Sequence, residues 1–73
     1  MEVIDRLKNK KVGNRLKKLR LSRGLSQKEM ADILKVTRPL ISMYEAGNRM
    51  PSPNIMKKYS IIFKKSVDDI FFR

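Results

Sequence analysis

Residues 25–47 read Leu25-Ser26-Gln27-Lys28-Glu29-Met30-Ala31-Asp32-Ile33-Leu34-Lys35-Val36-Thr37-Arg38-Pro39-Leu40-Ile41-Ser42-Met43-Tyr44-Glu45-Ala46-Gly47. Ser26 followed three residues later by Glu29 is a capping box, in which hydroxyl and carboxylate satisfy each other's free backbone amides at a helix start. Met30, Ala31, Ile33 and Leu34 supply an apolar side behind it, so the spacing predicts a helix over residues 27–34. Thr37 is a second N-cap. Pro39 falls in the next first turn, where a missing amide proton costs nothing because those protons have no helical acceptor. Gly47 closes this helix, predicted over 38–46. Only Lys35 and Val36 separate Leu34 from the Thr37 cap, and a connection that short makes the two helices cross steeply. The second helix is then propped out of the body. At about 100° per residue, Ile41 and Tyr44 face inward while Pro39, Ser42, Met43 and Ala46 share the outer side, with Arg38 at the exposed end.

Upstream, Val12, Leu16 and Leu19 recur at helical spacing and predict a helix from Val12 to Arg23, stopped by Gly24. Downstream, a polar stretch from Asn48 to Pro51 leads to Ser52 as cap and Pro53 as first residue of a helix through Phe63. Ser66 caps a last short helix, with Asp68 and Asp69 in the first turn where the helix dipole favours negative charge. The chain is therefore predicted to be all-α, a compact arrangement of five helices in one domain over 12–73. Residues 1–11 stand outside that pattern as a basic N-terminal arm or tail carrying Arg6, Lys8, Lys10 and Lys11.

Seventy-three residues give room for one domain, and a chain this short buries only about 60% of its unfolded surface. There is no cysteine and no histidine, which removes disulfides, Cys-rich zinc sites, the commonest metal ligand and the commonest general base. Asp68 and Asp69 are better read as first-turn charges than as a catalytic pair. An enzyme is excluded on these grounds, and no cofactor or metal is expected. Eighteen Lys and Arg against seven Asp and Glu give a formal net charge of +11, a field that favours a polyanion. A nucleic acid, an anionic membrane surface and a merely solvated lysine-rich face all fit that charge. No apolar run approaches the ~20 residues of a membrane span, and residues 1–11 lack the apolar block of a secretory signal. The expected location is the cytoplasm.

The quoted stretch resembles the helix-turn-helix of the Cro and Xre-like phage repressor family nearly position by position. Asn14-Arg15-Leu16-Lys17-Lys18-Leu19-Arg20 is similar to the family's first helix, and Pro51-Ser52 with Met56, Tyr59, Phe63, Val67 and Ile70 to its fourth and fifth. The resemblance implies a double-stranded DNA-binding transcriptional regulator, a repressor that reads a palindromic operator as a homodimer. It also implies roles for single residues. Arg38, Pro39, Ser42 and Met43 match base-facing positions, and Gln27 matches a glutamine that bonds a DNA phosphate. Asn48 and Arg49 sit where the family's loop touches the DNA backbone, although a simple polar turn also accounts for them. Arg20 and Glu45 match a structural ion pair that ties the first helix to the third. Lys35 and Lys64 occupy positions usually held by glycine in a left-handed conformation, at a cost on the order of 1 kcal/mol each, and Lys65 replaces a usually apolar residue.

The reading face lacks the Gln or Asn that pairs bidentately with adenine; it offers one arginine for guanine and apolar groups for thymine methyls. Specificity is then expected to lean on apolar contacts and DNA shape. The inward residues of the fourth helix are Met56, Tyr59, Ser60 and Phe63, which turns Ile61 and Ile62 away from the core. With Phe71 and Phe72 they form the expected dimer interface, the other reading being that Phe71 and Ile62 fold back onto the chain's own core. Antitoxins share this fold and bind a partner toxin as well as DNA, so an antitoxin-type protein with a further protein partner is the alternative.

Overall fold

A computed structural model of the chain describes the backbone from Glu2 onward and the side chains from Asn9 onward. The elements are α1 (Glu2–Ser22), α2 (Gln27–Leu34), α3 (Arg38–Ala46), α4 (Pro53–Phe63) and α5 (Val67–Phe71), with no strand among the described residues. The ranges of α2, α3 and α4 match those expected, and α5 follows the expected Ser66 cap.

The first does not: α1 begins at Glu2 rather than Val12, so residues 2–11 are its opening turns and not a separate tail. Residues 2–12 contain no glycine or proline and are rich in good helix formers, and Glu2 and Asp5 complement the positive end of the dipole. That propensity operates where the spacing of Val12, Leu16 and Leu19 does not continue. The side chains of Arg6 and Lys8 lie outside the described residues.

Caps set the remaining boundaries. Ser26 accepts from the Glu29 amide while the Glu29 carboxylate accepts from the Ser26 amide, completing the capping box. Ser52 and Ser66 cap α4 and α5 in the same way through their hydroxyls. Thr37 has N-cap backbone geometry but makes no side-chain cap bond, so α3 starts on Pro39 and on its packing rather than on a hydroxyl.

Leu16, Met30, Leu34, Ile41, Tyr59 and Ile70 are fully enclosed at the centre, drawn one or two from every helix. α1 packs on α3 and α5, α2 on α3 and α4, and α4 on α5. The α1–α3 crossing is close because Gly13 has no side chain: a Cβ there would lie 2.7 Å from the Tyr44 carbonyl oxygen. Gly47 is left-handed at φ 78° and equally tight, with an added Cβ 2.8 Å from the Lys10 Cα.

Three expectations about burial need correction. Ile33, placed on the core side of α2, is 47% exposed, because Met30, Ala31 and Leu34 already fill that stripe. Ile62, expected to point away from the core, packs against it from the edge. Phe71, expected at a dimer interface, is 3% exposed and meets the Tyr59 ring edge to face at 5.8 Å between centroids. α5 is a single short turn laid over α4, so its last aromatic has to turn inward to close the core.

Candidate nucleic-acid interface

The loop between α2 and α3 is built on a lysine in a glycine's conformation. Lys35 sits at φ 60°, ψ 45°, and its amide and that of Val36 close the end of α2 onto Asp32 and Ala31 carbonyls. Lys58 of α4 donates to the Leu34 carbonyl at 3.1 Å, satisfying another free acceptor at the same helix end. Nothing in the spacing of Lys58 marks it for that task. α3 leaves this turn with Ile41 and Tyr44 buried and Arg38, Pro39, Ser42 and Met43 all exposed on its outer side. The four expected reading residues are thus brought onto one accessible face. Arg49 and Asn48 follow α3 directly, both exposed, in the loop that Gly47 opens.

The inner end of α3 is held by charge. Arg20 and Glu45 are 6% and 7% exposed, and the guanidinium meets the carboxylate twice, Nε to Oε2 at 2.7 Å and Nη2 to Oε1 at 3.0 Å. Nη1 of Arg20 donates to the Leu25 carbonyl at 2.7 Å, so the same side chain also fixes the turn between α1 and α2. The hydrogen bonds to Glu45 raise the Arg20 pKa further, outweighing the opposing effect of burial. Removing one partner from such a buried pair costs about 3–5 kcal/mol, because the other is left charged and enclosed. By contrast, Arg73 and Asp69 pair at 3.1 Å on the open surface, where such a bridge is worth about 0–1 kcal/mol.

Gln27, the expected phosphate ligand, is half-buried at the first position of α2, and its Nε2 donates to Glu45 Oε1 at 3.2 Å. Burial pushes the Tyr44 hydroxyl pKa up, against the opposing charge of Arg49. The Tyr59 hydroxyl is buried with no hydrogen-bond partner among the described residues, and desolvation keeps it protonated.

Ile61 is 67% and Phe72 62% exposed, and they remain the exposed members of the expected dimer set. Ile61 and Ile62 line a shallow groove with Ile33, Lys35 and Lys58. Lys64 ends α4 at φ 55°, left-handed like Lys35, as its position predicts. Arg15 was not singled out by sequence reasoning, yet it donates to the carbonyls of Asp69, Ile70 and Arg73 at 3.3, 2.7 and 2.8 Å. The available signal was the need itself: a helix as short as α5 has almost all its C-terminal carbonyls free.

A helix-turn-helix family model matches residues 16–70. Two curated proteins of Bacillus subtilis (strain 168) are similar in sequence. The SPbeta prophage-derived uncharacterized HTH-type transcriptional regulator YonR is 45% identical over 56 residues, covering 77% of this chain and 52% of that protein. The uncharacterized HTH-type transcriptional regulator YqaE is 42% identical over 53 residues, covering 73% of this chain and 46% of that protein. The matched region spans about half the length of these relatives. With residues 16–70 matched and α2 and α3 joined by the short Lys35–Thr37 turn, the chain belongs to the Cro/C1-type helix-turn-helix family.

Proposed function

We propose that the chain is a sequence-specific double-stranded DNA-binding transcriptional regulator, a repressor that binds a palindromic operator as a homodimer. The observation that carries this reading is the outer face of α3: Arg38, Pro39, Ser42 and Met43 exposed together on a helix whose inner end is fixed by the buried Arg20–Glu45 pair. An α-helix of this width fits the major groove, where Arg38 suits guanine O6 and N7, and Pro39 and Met43 suit thymine methyls. Gln27 at the start of α2, and Asn48 and Arg49 just after α3, contact the phosphates that set its register. Lys10, in the opening turns of α1 and against Gly47, extends that basic rim. The N-terminal residues are then a helical arm along the DNA backbone.

Dimerisation rests on Ile61 and Phe72, with Ile62 at the patch edge and Phe71 withdrawn into the core. A two-fold dimer sets its reading helices about 34 Å apart, matching half-sites one turn apart. Selection from random duplexes combined with sedimentation of the free protein tests the proposal. The expected result is an enriched inverted repeat, a dimer, and a folded monomer with weak operator binding on Ile61→Lys with Phe72→Lys. Enrichment of no sequence, or a dimer that survives both substitutions, contradicts it.

A further inference from the structure

Glu45 is the meeting point of three hydrogen bonds from two directions. Its Oε2 accepts from Arg20 Nε, and its Oε1 accepts both from Arg20 Nη2 and from Gln27 Nε2 at 3.2 Å. The Arg20 contacts alone suffice to lock α1 to α3. The third bond reaches a different element, the first residue of α2, and a different kind of group, a neutral amide on the rim of the interface.

We propose that Glu45 is a positioning residue for Gln27: it presents the amide to a DNA phosphate as well as holding α3. The inference rests on the DNA-binding reading. A carboxylate only accepts hydrogen bonds, so the amide nitrogen, not the amide oxygen, has to face it. That settles which way the Gln27 side chain is turned and leaves its second N–H free to donate. A free glutamine at a helix start samples several rotamers and loses that freedom on binding; one already tied to a buried acid does not. The acid is itself immobile, because Arg20 grips both its oxygens and is in turn tied to Leu25, immediately before the Ser26 cap of α2. The arrangement transmits the rigidity of a buried ion pair to a solvent-facing amide. The Ser26 and Glu29 capping box meanwhile fixes the backbone on which that amide stands.

A double-substitution cycle on the full chain tests this, using a duplex that carries the selected operator and a second of scrambled sequence. Gln27→Ala weakens binding to both duplexes by about fivefold, the worth of one modest hydrogen bond. Glu45→Leu, which removes the acceptor, weakens it further, and adding Gln27→Ala to Glu45→Leu then brings little extra loss, because the amide is already released. If the two losses instead multiply, Glu45 acts on α3 alone and the proposal is overturned. Should Glu45→Leu fail to fold, Arg20→Met with Glu45→Met takes its place in the cycle, since removing both charges of a buried pair together is tolerated far better than removing one. A second readout needs no DNA. The Gln27 side-chain NH2 signals of the free protein should exchange slowly, and return to ordinary exposed-amide rates when Glu45 is substituted. Equal rates in parent and variant overturn the proposal even if DNA is bound. A parent that binds no duplex, with the exchange difference intact, sinks the DNA-binding reading and leaves the Glu45–Gln27 bond standing.

Discussion

The junction of α1, α2 and α3 and the packing of α4 with α5 are held by opposite means. At the junction, an enclosed arginine and glutamate make bonds of fixed length and direction to each other, to Leu25 and to Gln27, and Gly13 lets two helix backbones nearly touch. In the α4–α5 half, Tyr59 lies between Phe63 and Phe71 with ring centroids 6.1 and 5.8 Å away, and one hydroxyl is buried without a partner. Apolar burial is non-directional and stabilises in proportion to area, whereas a bidentate ion pair fixes an angle and a distance while contributing little net stability against an apolar substitute. Apolar burial contributed by every helix therefore supplies much of the free energy of folding, and the buried ion pair at the junction fixes the direction of α3.

Substitutions in the two halves should fail in different ways. The largest effect is expected for Phe71→Ala, which empties the space against Tyr59 and costs about 3–5 kcal/mol. In a domain this small that shifts the melting temperature by about 4–8 °C per kcal/mol and leaves much of the chain unfolded. Calorimetry or circular dichroism checks it, and a small shift would mean that α5 is an appendage rather than part of the core. A smaller effect, opposite in sign, is expected at the two left-handed lysines. Lys35→Gly and Lys64→Gly should each stabilise by about 1 kcal/mol, because glycine adopts φ near +60° without a Cβ clash. Equal gains would show that the strain belongs to the cap and not to the half it sits in; a loss at Lys35 alone would show that its stem packs usefully on the α2–α3 turn.

The smallest effect concerns Glu29, whose carboxylate is held below its ordinary pKa of 4.5, chiefly by the Ser26 backbone N–H and then by the Ser26 hydroxyl. A group with a lowered folded-state pKa contributes stability that is fully present above 4.5 and is lost as pH falls through the lower folded value. The difference in melting temperature between the parent and Glu29→Gln should be constant above pH 4.5 and change only below it. A difference that instead varies between pH 6 and 8 would assign it to some other group.

Much of the fold was legible because its signals are local. Ser26, Ser52 and Ser66 mark three helix starts by their own hydroxyls, and Gly24 and Gly47 mark two helix ends by their φ. The outer face of α3 followed from helical spacing alone. What escaped was set by partners distant in sequence. Phe71 looks like a surface residue on its own helix and becomes core only when it meets Tyr59 of α4, and Ile62 packs at the edge of that core. Arg15 and Lys58 look like two more solvated bases until the carbonyl ends of α5 and α2 arrive beside them. Gln27 was legible as a rim residue, but its bond to Glu45, eighteen positions away, was not. The opening turns of α1 were missed for a different reason: Val3, Ile4 and Leu7 stand at helical spacing but do not continue the spacing of Val12, Leu16 and Leu19, and it is helix propensity that joins the two sets.

In the proposed function, the junction aims α3 so that its outer face reads sequence. The most direct measurement is the base preference of the parent, Arg38→Ala and Met43→Ala, each selected against the same pool of random duplexes. Both substitutions lie on exposed positions and should leave folding intact. The expected result is a loss of about 1–3 kcal/mol of discrimination, confined to different base pairs for the two variants, while affinity for scrambled duplex changes little for Met43→Ala. Selected sequences identical to the parent's in both folded variants would contradict the claim and place the reading surface elsewhere.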